Sequence, residues 1–428
     1  MNKLKHIPKN GIYIRSKRNI TLKHGDCFPQ RPKKFDRYEE GDYIYIYGIN
    51  YIQPLNRPPI NTNNGWTVMP VKNHTKAKYG RIRTEIAGKH IIAMLMTFSQ
   101  CANMKKSPEI PKTVKAMEHT FEYCESLKAS PVIPYGVEFM EYTYAHCKKL
   151  TKTVPIPDTV KTMRGTYAGC ISLTWVQKLS ANVTDISYIC ECCFKLRIAP
   201  RIPNTVKTMD SAFSVCESLI KAPQIPDGVK DISSAFYNCC TLVTTPDIPD
   251  SVDNMDLTFT YCKNLKTIHK LPNGIEHLRG TFESCESLTD LSNIHIPKSV
   301  TTMTDTFKYC TNLTKPPKIP DGVKYMSYAF GRCKAMEIAP NIPNGVKELD
   351  GTFCDCITLT TIPAIPASAT IIECMVQHCE NLTGTIIIDT NTCRYENCFK
   401  DTTKPITITG KSQNLEDIAN EYTNVDYK

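Results

Sequence analysis

Thirteen cysteines set one period along most of this chain. Cys101, Cys124, Cys147, Cys170, Cys193, Cys216, Cys239, Cys262 and Cys285 follow one another at 23 residues. Cys310 comes 25 residues later, and Cys333, Cys356 and Cys379 resume the 23-residue step. The two additional residues fall in the stretch TDLSNIHIP, which ends at Pro297. Each unit reads Met-x-x-x-Phe-x-x-Cys-x-x-Leu, then four to six residues, then Ile-Pro-x-x-Val-x-x-Met. The ring position is held by Phe98, Phe121, Tyr144, Tyr167, Phe213, Phe236, Phe259, Phe282, Phe307, Phe330 and Phe353. A fixed period in the range of about 20–50 residues predicts a solenoid. One unit holds too few apolar residues to bury itself. Stacked on its neighbours, its Met, Phe, Cys, Leu, Ile and Val become ladders in a continuous core. Pro-Asp-Gly and Pro-Asn-Gly supply turn chemistry, because Pro presets φ while Gly and Asn tolerate positive φ. A 23-residue unit leaves no room for a full helix pair, so the coil is expected to be β-rich, with about 13 units.

The totals agree with a folded chain too long for one compact core of ordinary size: 428 residues, 41% hydrophobic and 22% charged. The net charge of +10 leans toward anionic partners, but the excess is spread thinly. No apolar run reaches the roughly 18 residues of a membrane helix, so membrane insertion is not expected. The start, MNKLKHIPKNGIYIRSKRN, has basic residues but no apolar stretch behind them, and the end, NEYTNVDYK, carries no anchor signal. No cleavable secretory signal is therefore expected. A surface location would need another route, and a cytoplasmic pool is compatible with these ends.

The unit Ile-Pro-x-x-Val-x-x-Met-x-x-x-Phe-x-x-Cys-x-x-Leu resembles the leucine-rich repeat of the BspA-like class over roughly residues 90–385. That class occurs in bacterial and protist surface proteins and in phage-borne proteins. The resemblance implies a right-handed α/β solenoid, rich in β, with a sheet on one face, a role in binding or adhesion, and no catalytic residues or cofactors. The unit after Cys170 departs from the pattern by lacking Ile-Pro, and the one after Cys285 is lengthened.

The expected domains are a β-rich lead-in over 1–88, the repeats over 89–385, and a cap of one strand and a short helix over 386–428. In the lead-in, DRYEEGDYIYIYGINYI reads as one or two strands, QPLNRPPINTNNGW as a loop, and WTVMPVKNHTKAKYGRI as a strand followed by a basic turn. After Val376 the repeat is expected to lose register. KPITITG reads as a closing strand. SQNLEDIANEY reads as a helix with Ser412 as its cap and Leu415, Ile418, Ala419 and Tyr422 on one face.

The 21 cysteines raise the question of chemistry, and the period answers most of it. A residue recurring once per unit is structural first, and a buried Cys behaves as a small apolar group. An odd ladder of 13 offers no natural disulfide pairing, so reduced thiols are expected. Cys190 and Cys193 occupy the ring and cysteine positions of one unit, and no second Cys-x-x-Cys follows Cys393 and Cys398 at zinc spacing. His378 precedes a ladder cysteine, but neighbouring side chains diverge, so no dyad is expected. No Gly-x-Ser-x-Gly, His-Glu-x-x-His or phosphate loop is present. Neither an enzyme nor a metal or cofactor site is expected.

The positions that vary just after the repeat Leu are the candidate ligand face. Lys105, Lys106, Lys128, Lys152, Arg197, Lys221, Lys266 and Lys315 recur there among threonines, with Trp175 as the one aromatic and Asp290 and Glu337 as the sparse acids. One reading is a solvated strand surface. The functional reading is a basic, Thr-rich face for a host-surface ligand, either an anionic glycan or an acidic protein patch, with other virion or surface proteins as further partners. Nucleic acid is not expected, because the charges form no dense cluster and aromatics are not interleaved for base stacking. A second column, Lys115, Lys161, Lys207, Lys230, Lys324 and Lys347, follows the repeat Val and is placed on another face. A binding protein with no signal and no anchor fits a phage tail or virion surface. The alternatives are a bacterial or protist adhesin exported by another route, and a scaffold without a ligand.

Overall fold

The computed structural model describes residues 89–428 and, before them, residue 82 and the segments 18–21, 36–40, 43–47, 66–70 and 85–86. The loop over 53–65 and the basic turn after residue 70 lie outside the described residues. The chain forms two compact units, 1–170 and 171–428.

In the first unit the lead-in is a sheet of β1 (Arg18–Thr21), β2 (Asp36–Glu40), β3 (Tyr43–Tyr47), β4 (Trp66–Pro70), β5 (Glu85–Ile86) and β6 (Lys89–Ala93), in the order β1-β2-β3-β4-β6-β5. Alternating Tyr and Ile give β3 its strand preference, and it pairs antiparallel with both β2 and β4. The chain enters the first coil from β6: Ala93 bridges Ala116 in parallel, Ala116 bridges Phe139, and Phe139 bridges Thr162.

The coils contain less strand than a β-rich repeat suggests. Most carry only isolated bridges, in one column two residues after the Val and another two residues after the Leu. Between the columns lies a run of turns in which amides alternate in their use. Met96, Phe98 and Gln100 donate to Glu118, Thr120 and Glu122 of the next coil, while Ser99 and Cys101 donate back three residues to Met96 and Phe98. This alternation sets positive φ two residues before and two residues after each ring, as at His119 (52°), Tyr123 (58°), Tyr142 (50°) and His146 (59°). Gly165 and Gly169 occupy the next such positions, where a Cβ would collide with the Tyr142 and His146 rings of the preceding coil.

The core is built of ladders. In the first unit Phe98, Phe121, Tyr144 and Tyr167 stack at centroid distances of 5.2–5.8 Å. In the second, Phe213 to Phe353 stack at 5.6–6.0 Å. The cysteine ladder does more than fill space. Eleven thiols, from Cys124 to Cys379, each donate to the carbonyl of the ring-position residue one coil earlier, at 3.1–3.3 Å. Burial pushes the Cys147 thiol up to about 12, so it stays a protonated donor at neutral pH and a poor nucleophile. Thiol counting on denatured, unreduced protein should find most of the 21 cysteines reactive. Fewer than about half would mean that the ladder is cross-linked.

Tyr144 is fully buried, and its hydroxyl has no hydrogen-bond partner among the described residues. Tyr144→Phe keeps the stacked ring and removes an orphaned polar atom, so a stabilisation of about 1–3 kcal/mol is expected, read as a raised melting temperature. A lowered melting temperature would mean that the hydroxyl is satisfied in solution.

In the second unit the column after the Val runs Asp185–Thr208–Asp231–Asn254 and, further on, His277–Thr302–Tyr325–Glu348–Ile371–Arg394. The expected loss of register after Val376 does not occur. Arg394 bridges Ile371, Phe399 is buried 23 residues after Val376, and Thr402 is buried 23 residues after Cys379. The turn geometry survives because Phe399 restores the ring and Thr402 supplies a small side chain whose hydroxyl donates to the Phe399 carbonyl at 2.7 Å. The chain closes with β7 (Gly384–Ile388), β8 (Ile406–Gly410) and β9 (Val425–Tyr427) in a parallel sheet, and α1 (Leu415–Glu421) between the last two strands. Ser412 is not the helix cap. Asn414 holds that position without a side-chain cap bond, and its amide donates to Ser412 Oγ at 3.2 Å. Ile418 is the buried residue of the helix face.

Candidate functional site

In most coils the residues after the repeat Leu follow one order of burial. Leu is buried, the next two side chains are exposed, and the one after is buried, as in Leu127, Lys128, Ala129 and Ser130 or Leu219, Ile220, Lys221 and Ala222. A longer strand would turn alternate side chains inward. Here pairing lasts one residue per coil, so two adjacent side chains face solvent and form a double stripe.

In the first unit the stripe holds Lys105, Lys106, Lys128 and Lys152, all exposed. Ala129 bridges Lys152, the Thr151 amide donates to the Lys128 carbonyl at 3.0 Å, and the Ser130 amide donates to the Lys152 carbonyl at 3.0 Å. The backbone therefore fixes the register of Lys128 and Lys152. None of the four is in an ion pair among the described residues, whereas Lys148 and Lys161 are held by Glu125 and Glu138 at 2.9 and 2.6 Å.

In the second unit the stripe is mixed. Trp175 bridges Ile198, which bridges Lys221. Trp175 is 48% exposed, Ile198 67%, Ile220 54% and Val243 45%. These aliphatic residues are the part of the face that a basic, Thr-rich description misses. They stand at the same positions as the lysines, and only the in-out-out-in order of burial tells them from core residues. Arg197, Lys221 and Lys266 are exposed and outside ion pairs among the described residues. Lys315 differs: it pairs with Asp290 one coil earlier at 3.0 Å. Hydrogen bonds from the Ser292 hydroxyl and amide, then Lys315, hold the Asp290 carboxyl down to about 2, so it is ionised at neutral pH.

The column after the Val is also exposed at Lys115, Lys161, Lys207, Lys230, Lys324 and Lys347, but part of it neutralises itself. Besides Lys161 with Glu138, Lys230 lies 3.6 Å from Asp253. Elsewhere, His378 points outward between Asp355 and Asp401, at 3.1 and 2.8 Å, while Cys379 is buried and donates to the Phe353 carbonyl. The two side chains diverge and form no dyad. Cys190, Cys193 and Cys398 are buried. Among the described residues no cluster of His, Cys, Asp and Glu is arranged to hold a metal, and no helix is long and apolar enough to cross a membrane.

Comparison with known proteins places this architecture. No curated protein matches the sequence. Among solved structures, a leucine-rich repeat protein from Bacteroides ovatus is similar at 18% identity and a TM-score of 0.56, over 90% of this chain and 98% of that one. A leucine rich cell surface protein from Faecalibacterium prausnitzii is similar at 21% identity and a TM-score of 0.50, over 84% of this chain and 94% of that one. The BspA type leucine rich repeat region matches at residues 95–219, 138–256, 187–314 and 304–424. With the repeat matched from residue 95 to residue 424, the chain belongs to the BspA type leucine-rich repeat family.

Proposed function

We propose that this chain is a non-enzymatic recognition protein that binds an anionic surface ligand through the double stripe after the repeat Leu. The observation that carries this reading is the set of Lys105, Lys106, Lys128 and Lys152, exposed and outside ion pairs among the described residues, with Lys128 and Lys152 on backbone held in register. Neighbouring coils repeat at about 4.8 Å, so the ammonium groups address a ligand with closely spaced negative charges. An acidic polysaccharide, a phosphate-bearing wall polymer or an acidic protein patch has that spacing. Display at a surface is supported by the similar Faecalibacterium prausnitzii protein, a leucine rich cell surface protein. A phage tail or virion surface is the narrower setting that the same face would serve. The test is retention of the whole protein on an immobilised sulfated polysaccharide, eluted with a salt gradient. Retention lost steeply with salt is expected, and no retention at low salt would overturn the reading in favour of a ligand-free scaffold.

A further inference from the structure

The second unit holds a feature that a basic stripe does not account for. Trp175, Ile198, Ile220 and Val243 place four large apolar side chains in contiguous coils on the exposed face. Exposed aliphatic groups gain nothing from a polyhydroxylated, charged polymer, and a contiguous exposed apolar patch marks a site for another apolar surface. Beside the patch is a cavity of about 460 Å³, walled by Val176, Leu179, Pro200, Ile202 and Pro203. Along the chain the stripe leads to this wall, since Val176 follows Trp175 and Pro200 is two residues beyond Ile198. The cavity lies in the coil where Leu179-Ser180 replaces the usual Ile-Pro. On the other side of the Pro200–Asn204 loop is a second cavity of about 600 Å³, reached by Asn204, Gln224 and Asp227. Arg201 lines both cavities. Arg197, Arg201 and Lys221 are exposed, and none is in an ion pair among the described residues.

We infer that this patch and the apolar cavity beside it dock a protein segment that combines aliphatic side chains with carboxylates. The apolar cavity takes one aliphatic side chain, Trp175 and Ile198 cover the rest of the apolar surface, and Arg197, Arg201 and Lys221 meet the acids. Trp and Arg are the residue types that carry most of the energy in protein interfaces. The cavity wall is apolar at Val176, Leu179, Pro200 and Ile202 and polar at Gln177, Arg201, Asn204 and Thr205, and it is the pairing of exposed aliphatic surface with the positive charges of Arg197, Arg201 and Lys221 that favours a protein segment over a glycan. This inference rests on the recognition reading above and names the partner class for one part of the stripe.

The experiment is selection from a random-peptide display library on the immobilised full chain, with each enriched peptide measured against three proteins: the parent, Trp175→Ala/Ile198→Ser, and Lys105→Gln/Lys106→Gln/Lys128→Gln/Lys152→Gln. All positions changed are exposed, so unchanged melting curves are expected and confirm folding. Enriched peptides should carry Asp or Glu beside Leu, Ile or Phe. They should bind Trp175→Ala/Ile198→Ser about thirtyfold more weakly and the lysine variant as the parent does. No enrichment, or peptides that bind Trp175→Ala/Ile198→Ser as tightly as the parent, overturns the inference. The same double variant losing retention on the sulfated polysaccharide also overturns it, by making the patch a glycan site, and leaves the anionic-ligand reading intact. If polysaccharide retention is absent in the parent while the peptide result holds, the broader reading fails and the docking site stands.

Discussion

Phe236→Ala is expected to destabilise the second unit by about 3–5 kcal/mol. The ring is fully buried, with Phe213 at 5.9 Å on one side and Phe259 at 5.6 Å on the other. Removing it opens a cavity that neither neighbour can fill, because each ring is held at its own height by inter-coil hydrogen bonds such as that from the Phe236 amide to the Thr258 carbonyl at 3.0 Å. The turn backbone there cannot sink into the gap without breaking bonds on both sides. Phe353→Ala should cost less, since that ring has Phe330 at 6.0 Å on one side and the smaller Val376 at the ring position of the next coil. In a linear stack, stability is a sum of unit and nearest-neighbour terms, so a residue with two stacked ring neighbours outweighs a residue with one. Urea titration reads the difference as a larger fall in midpoint for Phe236→Ala at unchanged slope. Equal losses at the two sites would contradict the nearest-neighbour account.

Much of this core is legible in the sequence, because a ladder repeats its own evidence. A Phe or Cys that returns every 23 residues can only be stacking on its copies. What escapes is whatever depends on the path between the marked positions. Cys262 can be read as a small apolar residue, but its donation to the Phe236 carbonyl depends on how the turn run aims that carbonyl toward the next coil. The positive φ at Val215 or Leu257 has no signature, since nothing in those residue types asks for a left-handed backbone; inter-coil bonding imposes it. The coil around Phe399 is hidden for a simpler reason: Val376 and Thr402 break the ring and cysteine marks, while the inter-coil hydrogen bonds that define the coil come from the backbone. For the candidate face, the position of the stripe follows from the Leu, and its lysines with it. The apolar part around Ile198 and Ile220 does not. An aliphatic side chain near the repeat Leu reads as core, and only the one-residue bridge shows that it faces outward.

Replacing Lys105, Lys106, Lys128 and Lys152 together by Gln should lower retention on a sulfated polysaccharide by about tenfold or more at low salt. The lysines stand on neighbouring coils, about 5–10 Å apart by strand spacing, near the Debye length of about 8 Å at physiological salt. At that separation their fields add over a polymer with similar charge spacing, and each added salt increment weakens all four contacts at once. The fold should be indifferent. The four are exposed and outside ion pairs among the described residues, so their loss should change stability by no more than about 0.5 kcal/mol. Lys207, Lys230, Lys324 and Lys347, changed to Gln in a second variant, provide the control. Both variants lose four positive charges, so any effect of net charge is shared. The second set lies in the column after the Val, where Lys230 is 3.6 Å from Asp253, and it should reduce retention much less. A larger loss from the second set would move the binding face to the column after the Val. Equal losses would mean that the polymer senses net charge, and the stripe after the Leu would then be an ordinary solvated surface.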